Sequence, residues 1–143
     1  MAWKFNPFTN ELDRIKPDRY FESVTANNQI SRTSSGFADA LQQDFIVPFD
    51  GTYRLGYVYQ WRHEKKDIQH RVRVRVDGVE NTDLRARQYM GGQDDTSAIR
   101  MMTSGWTLVE LTAGTYDIDL QYSSQSGETA YLYYRRLYLE EWV

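Results

Sequence analysis

Three arginines, Arg71, Arg73 and Arg75, occupy every second position between Gln69 and Val76. In a strand that spacing points them the same way, about 6.6–6.8 Å apart. Such a row is a basic ladder for an anionic partner: a phosphate backbone, an acidic glycan or an acidic protein face. It is equally a solvated sheet face paired with acidic residues on neighbouring strands, such as Asp117 and Asp119. Exposed pairs of that kind contribute only about 0–1 kcal/mol each. The other candidate groups form no recognisable site. His63 and His70 bracket the polar turn Glu64-Lys65-Lys66-Asp67 and match neither a metalloprotease helix nor a triad, so they read as loop-end residues. Asp94-Asp95 and Asp117-x-Asp119 match no calcium loop. Gly91-Gly92 lacks the lysine and the strand-to-helix setting of a phosphate-binding loop. With no cysteine, disulfides, thiol catalysis and most structural zinc sites are excluded.

Aromatic residues are the other resource. The chain has 11 Tyr, 6 Phe and 4 Trp, residues that suit sheets and interfaces. Trp61 and Trp106, with Tyr57 and Tyr59, could stack on sugars, or fill a core or a subunit interface. Three large aromatics, Trp3, Phe5 and Phe8, stand in the first eight residues, followed by Leu12. Pro7 and Pro17 disfavour a continuous helix there. Residues 1–20 therefore read as an extended N-terminal arm, and residues 21–143 as one domain. The arm packs on its own domain, or it docks into a partner through Trp3, Phe5, Pro7, Phe8 and Leu12.

The elements that must hold these residues are strands. From Phe45 onward the period is two, as in Tyr53, Leu55, Tyr57, Tyr59 and in Val72, Val74, Val76. Asp77-Gly78 signals a two-residue type I′ hairpin. Residues 22–36 read as weak strand plus loop, residues 37–43 as a helical turn or a strand start, and residues 79–95 as a long loop. Ile99–Met102 and Trp106–Leu111 read as short strands split by Ser104-Gly105. A phase change near Arg135-Arg136 suggests a bulge. The tripeptide Gly-Thr-Tyr occurs at 51–53 and 114–116, each time between an apolar run and an alternating strand. The two copies read as equivalent turns of one sandwich. Seven or eight short strands with regular turn signals define an all-β, antiparallel β-sandwich of the jelly-roll kind.

At 143 residues the length fits one domain, and the net charge of −3 gives no bulk reason to bind nucleic acid. The N-terminus lacks the apolar region of a secretory signal, and no stretch approaches a membrane span. The expectation is a protein of the cytoplasm, or one assembled there into something larger.

The opening Trp3-Lys4-Phe5-Asn6-Pro7-Phe8-Thr9-Asn10-Glu11-Leu12-Asp13 resembles the start of small tailed-bacteriophage virion proteins, with Asn10 where glycine is usual. Val47-Pro48-x-x-Gly51-Thr52-Tyr53 and the ending Ala130–Trp142 are similar to jelly-roll modules of phage decoration proteins and fibre tips. Residues 62–105 have no counterpart in this resemblance. It implies a non-enzymatic virion part without cofactors, often a homotrimer, assembled in the host cytoplasm. Its partners would be copies of itself and the major capsid protein or tail proteins. Capsid decoration or cement protein is the leading expectation, and tail or tail-fibre component the alternative. A carbohydrate-binding module is a further one, with Trp61 and Trp106 stacking on glycan.

Overall fold

The two Gly-Thr-Tyr units lie side by side at one end of a sandwich. In the computed structural model, which describes residues 2–6, 11–15, 19–65, 69–89, 100–125 and 127–142, each unit follows a turn from one sheet to the other. β5 (Ala38–Val47) turns into β6 (Gly51–His63), and β9 (Met101–Leu111) turns into β10 (Gly114–Ser123). Tyr53 Oη donates to the Phe49 carbonyl at 2.6 Å, and Tyr116 Oη to the Thr112 carbonyl at 2.9 Å. Each tyrosine thus clamps the corner four residues behind it. Asp50 Oδ1 accepts from Ala113 N at 2.8 Å and ties the two corners together. The glycines are not equivalent. Gly114 has φ +154°, a conformation that favours glycine, whereas Gly51 has no such requirement.

One sheet runs in the order β5, β10, β7 (Gln69–Val76), β8 (Val79–Tyr89). The other runs β3 (Phe21–Ala26), β11 (Ala130–Glu141), β6, β9, with the short β4 (Ile30–Arg32) also on β11. All pairings are antiparallel. Eight long strands in this order, with most connections crossing between sheets, make a jelly roll. The expected β7–β8 hairpin forms, with φ +50° at Asp77 and +80° at Gly78 as a type I′ turn demands.

Alternation places Tyr53, Leu55, Tyr57, Tyr59 and Trp61 of β6 against Val72 and Val74 of β7, Ile118, Leu120 and Tyr122 of β10, and Leu132, Leu137 and Leu139 of β11 in one core. The sequence reading of these strands needs two corrections. Residues 79–89 are strand rather than loop, because β8 inserts Thr82–Arg85 opposite Arg73 and so hides its period while Leu84 enters the core. Ser104-Gly105 does not split β9; Gly105 is glycine where the Tyr57 ring lies against it. Of the two readings of residues 37–43, the strand start holds, since Ala38 opens β5.

The expected bulge in the last strand sits at Tyr133-Tyr134, which together oppose Gln60. It turns Arg135 inward, where it is 4% exposed. Its guanidinium donates to the carbonyls of Ala40 (2.7 Å), Asn28 (2.7 Å) and Tyr133 (2.9 Å) and to Asn28 Oδ1 (3.2 Å). Burial lowers its pKa, but it holds β11, β5 and the β3–β4 loop together through backbone acceptors. Arg135→Met should cost about 3 kcal/mol, because several carbonyls lose a charged donor. Arg135→Lys should recover little, since one ammonium cannot span the fork. Urea unfolding at neutral pH reads this out, and a loss below about 1 kcal/mol for the methionine variant would contradict it.

The N-terminal segment departs from the extended arm expected of it. β1 (Ala2–Asn6) and β2 (Glu11–Ile15) pair as an antiparallel hairpin, a two-stranded sheet of their own. Its register sets Trp3 opposite Arg14 and Phe5 opposite Leu12. Pro7 and Phe8 lie outside the described residues.

Candidate functional site

The two outer faces of the sandwich differ in chemistry. On the sheet containing β7, the arginine row is real and lies across three strands. Arg71 pairs in register with Ser123 and Arg87, and Arg75 with Asp119 and Glu80. Arg75 grips Asp119 through two parallel hydrogen bonds of 3.0 and 2.7 Å, which raise its pKa further. Arg85 pairs with Glu80 through Nε and Nη2, which lowers the glutamate's pKa. These two cations are neutralised in place. Asp117, the other acidic partner expected from sequence, instead accepts from Gln42.

Arg71 and Arg73 are held differently. Arg71 Nε donates to Ser123 Oγ (3.1 Å) and its Nη2 to the Ser35 carbonyl (2.7 Å). Arg73 Nε donates to Gln121 Oε1 (2.8 Å), itself tied to Asp39. Both guanidiniums lie over the Phe37 ring, at 5.3 and 4.1 Å from its centroid. Phe37, Arg71, Arg73, Glu80, Arg85 and Arg87 line a cleft of about 220 Å³. The sequence showed the row on β7. It did not show Phe37 or Arg87, because only the strand order and the preceding loop bring them there.

The outer face of the β6-containing sheet is aromatic. Trp106 stacks on Trp142 (centroids 5.9 Å apart), and Phe21 on Tyr138 (6.4 Å). Arg54 sits between them, 5.6–5.9 Å from the rings of Trp106, Tyr138 and Trp142, and pairs with Glu140. Gly56 is glycine because the Tyr138 ring lies directly across it. Trp106 is 53% exposed, and Phe21, Met102, Leu108 and Trp142 are exposed with it. β9 is the terminal strand of this sheet, and its Met101, Met102, Trp106 and Leu108 are exposed.

Trp61 does not join that face. It is 1% exposed and hydrogen-bonded through Nε1 to Thr103 (3.0 Å), so the sugar-stacking role read for it fails on burial. Tyr57 and Tyr59 are likewise buried. Both β6 and β9 alternate, so period alone could not say which tryptophan faces inward.

The histidines stand at the ends of the β6–β7 connection, as expected, but both are buried. His70 stacks flat on Trp61 (4.8 Å, 9°), and neither ring nitrogen has a hydrogen-bond partner among the described residues. Burial drives its pKa down to about 3. His63 bonds to Ser124 Oγ at 2.9 Å, and burial lowers its pKa too. Among the described residues no group of three or more His, Asp or Glu is gathered as for a metal. Asp94-Asp95 and Gly91-Gly92 lie outside those residues.

No protein-family model matches the sequence, and no curated protein matches it. Solved structures do. A chain in the structure of the infectious bursal disease virus Gt strain aligns with TM-score 0.59 and 10% identity, over 99% of this chain and 38% of that one. The infectious bursal disease virus VP2 subviral particle gives 0.59 and 11%, over 99% and 37%. Virus particles share this fold. Latent PorU from Porphyromonas gingivalis also aligns, with TM-score 0.51 and 10% identity over 87% of this chain and 13% of that chain. The chain therefore spans well under half the length of each, and the likeness is one of fold.

Proposed function

We propose that this chain is a non-enzymatic structural component of a bacteriophage virion, a capsid decoration or cement protein. It attaches to the particle through its N-terminal segment and packs with copies of itself, a trimer being the favoured closure. One observation carries the reading: an exposed aromatic and apolar face, built by Phe21, Met102, Trp106, Leu108 and Trp142, that runs out to the terminal strand β9. An isolated sandwich keeps such a face polar, and a long apolar edge strand left bare invites pairing. An interface consumes both. The jelly-roll likeness to virus particles supports the reading at the level of fold.

Removing residues 2–15 should abolish attachment to the particle and leave the sandwich folded. Co-sedimentation of the truncated protein with particles lacking it measures the first, and circular dichroism the second. Undiminished attachment would refute the anchoring role, and an unfolded truncation would make the hairpin ordinary core.

A tail or tail-fibre component is the second reading. The arginine-lined cleft beside Phe37 favours it, because a receptor-binding part needs a ligand site and a cement protein does not.

A further inference from the structure

The cleft on the outer face of the β5–β10–β7–β8 sheet is supplied with charge that the fold itself does not use. Its lining carries four arginines and one glutamate. Glu80 and Arg85 neutralise each other, and Arg75 nearby is spent on Asp119. That leaves Arg71, Arg73 and Arg87 in no direct ion pair among the described residues. Like charges held this close cost free energy unless an anion joins them.

The guanidiniums are also pre-set. Arg71 and Arg73 are each fixed through Nε by Ser123 and Gln121 and supported from one side by Phe37. The Nη edge of Arg73 has no hydrogen-bond partner among the described residues, and Arg87 is exposed on β8. A fork of fixed guanidinium donors matches a planar carboxylate or a sulfate two bonds at a time. Ligand binding at such a site loses little side-chain entropy, because the neighbours have already removed it.

We propose that this cleft binds an acidic saccharide, whose carboxylate or sulfate is taken by Arg71, Arg73 and Arg87. The size argues for a single sugar unit: about 220 Å³ is below the usual range for drug-sized ligands. The surroundings argue against a polynucleotide. Asp39, Asp44, Asp117 and Asp119 lie along β5 and β10 on the same sheet, and the whole chain is net negative, so no basic track leads away from the cleft. A nucleic-acid strand would need several phosphate contacts in line. The site goes beyond the virion reading and does not depend on it, since particle attachment is assigned to the N-terminal segment and self-association to the opposite sheet.

The test is calorimetric titration of the full chain at low and high salt with N-acetylneuraminic acid, glucose 6-sulfate, glucose, inorganic sulfate and an oligothymidylate. At least one acidic sugar should bind at least tenfold more tightly than glucose and than inorganic sulfate. Arg87→Glu should weaken it at least tenfold with an unchanged melting temperature, because that residue is exposed and makes no side-chain hydrogen bond or ion pair among the described residues. Arg73→Met should do the same, which guards against a purely long-range charge effect. The proposal is overturned if neither acidic sugar outbinds glucose, if Arg87→Glu binds as the parent does, if inorganic sulfate matches the sugars, or if the oligonucleotide binds more tightly than they do. Particle co-sedimentation of Arg87→Glu should stay normal, so failure here and failure of the virion assignment give different results.

Discussion

Trp106→Glu is expected to weaken the proposed self-association at least a hundredfold, about 3 kcal/mol. Trp106 stands 53% exposed on the terminal strand of the aromatic face, flanked by Trp142 and Arg54. Interfaces concentrate their free energy in such Trp and Arg residues. A glutamate there would have to be desolvated within the assembled interface. The isolated fold should tolerate it, because no core contact is lost. Sedimentation velocity across a concentration series reads both species, and Leu108→Glu should act in the same direction. An unchanged oligomer in both variants would show that the copies meet elsewhere, and a monomeric parent would remove self-association altogether.

Acidification is the second large effect. His70 is neutral in the fold, with its pKa down to about 3, while an unfolded chain takes the proton near 6.5. The unfolded state therefore binds more protons between those values. Stability is complete above about pH 6.5 and falls as the pH drops below it. At about pH 5 the loss from this one group is on the order of 2 kcal/mol. For a domain of this size that lowers the melting temperature by roughly 4–8 °C. His63, also shifted downward by burial, adds in the same direction. The carboxyls of Glu80 and Glu128 are held below the ordinary carboxylate range by their arginine and lysine partners. His70→Phe separates the contributions. It keeps a ring on Trp61, removes two unpartnered nitrogens, and should be at least as stable at pH 7 with a visibly flatter profile down to pH 5. Equal pH slopes in parent and variant would show that His70 is not the group responsible.

Local signals in the sequence carried much of the fold. The clamped Gly-Thr-Tyr corners, the Asp77-Gly78 turn and the phase change near Arg135 are read within a few residues of chain, and the structure bears each out. β8 escaped because its four-residue bulge breaks the period by which strands are recognised. The site was legible only in part, for a related reason. Arg71, Arg73 and Arg75 are neighbours in sequence, but which of them is free depends on Asp119, Glu80 and Gln121, contributed by other strands. Arg75 turned out to be committed, and Arg87 took its place. Trp61 and Trp106 look alike until the strand order decides which side of the sheet faces the core. The aromatic face was missed because Arg54, Phe21 and Trp142 come from three separate strands or strand ends.

The central claim is that this chain is part of a particle. Quantitative mass spectrometry of virions purified from a culture that produces the protein tests that most directly. The account predicts its peptides at a fixed, high copy number relative to the major capsid protein, retained through density-gradient purification. Their absence from intact purified particles, with the protein abundant in the infected-cell lysate, would contradict it.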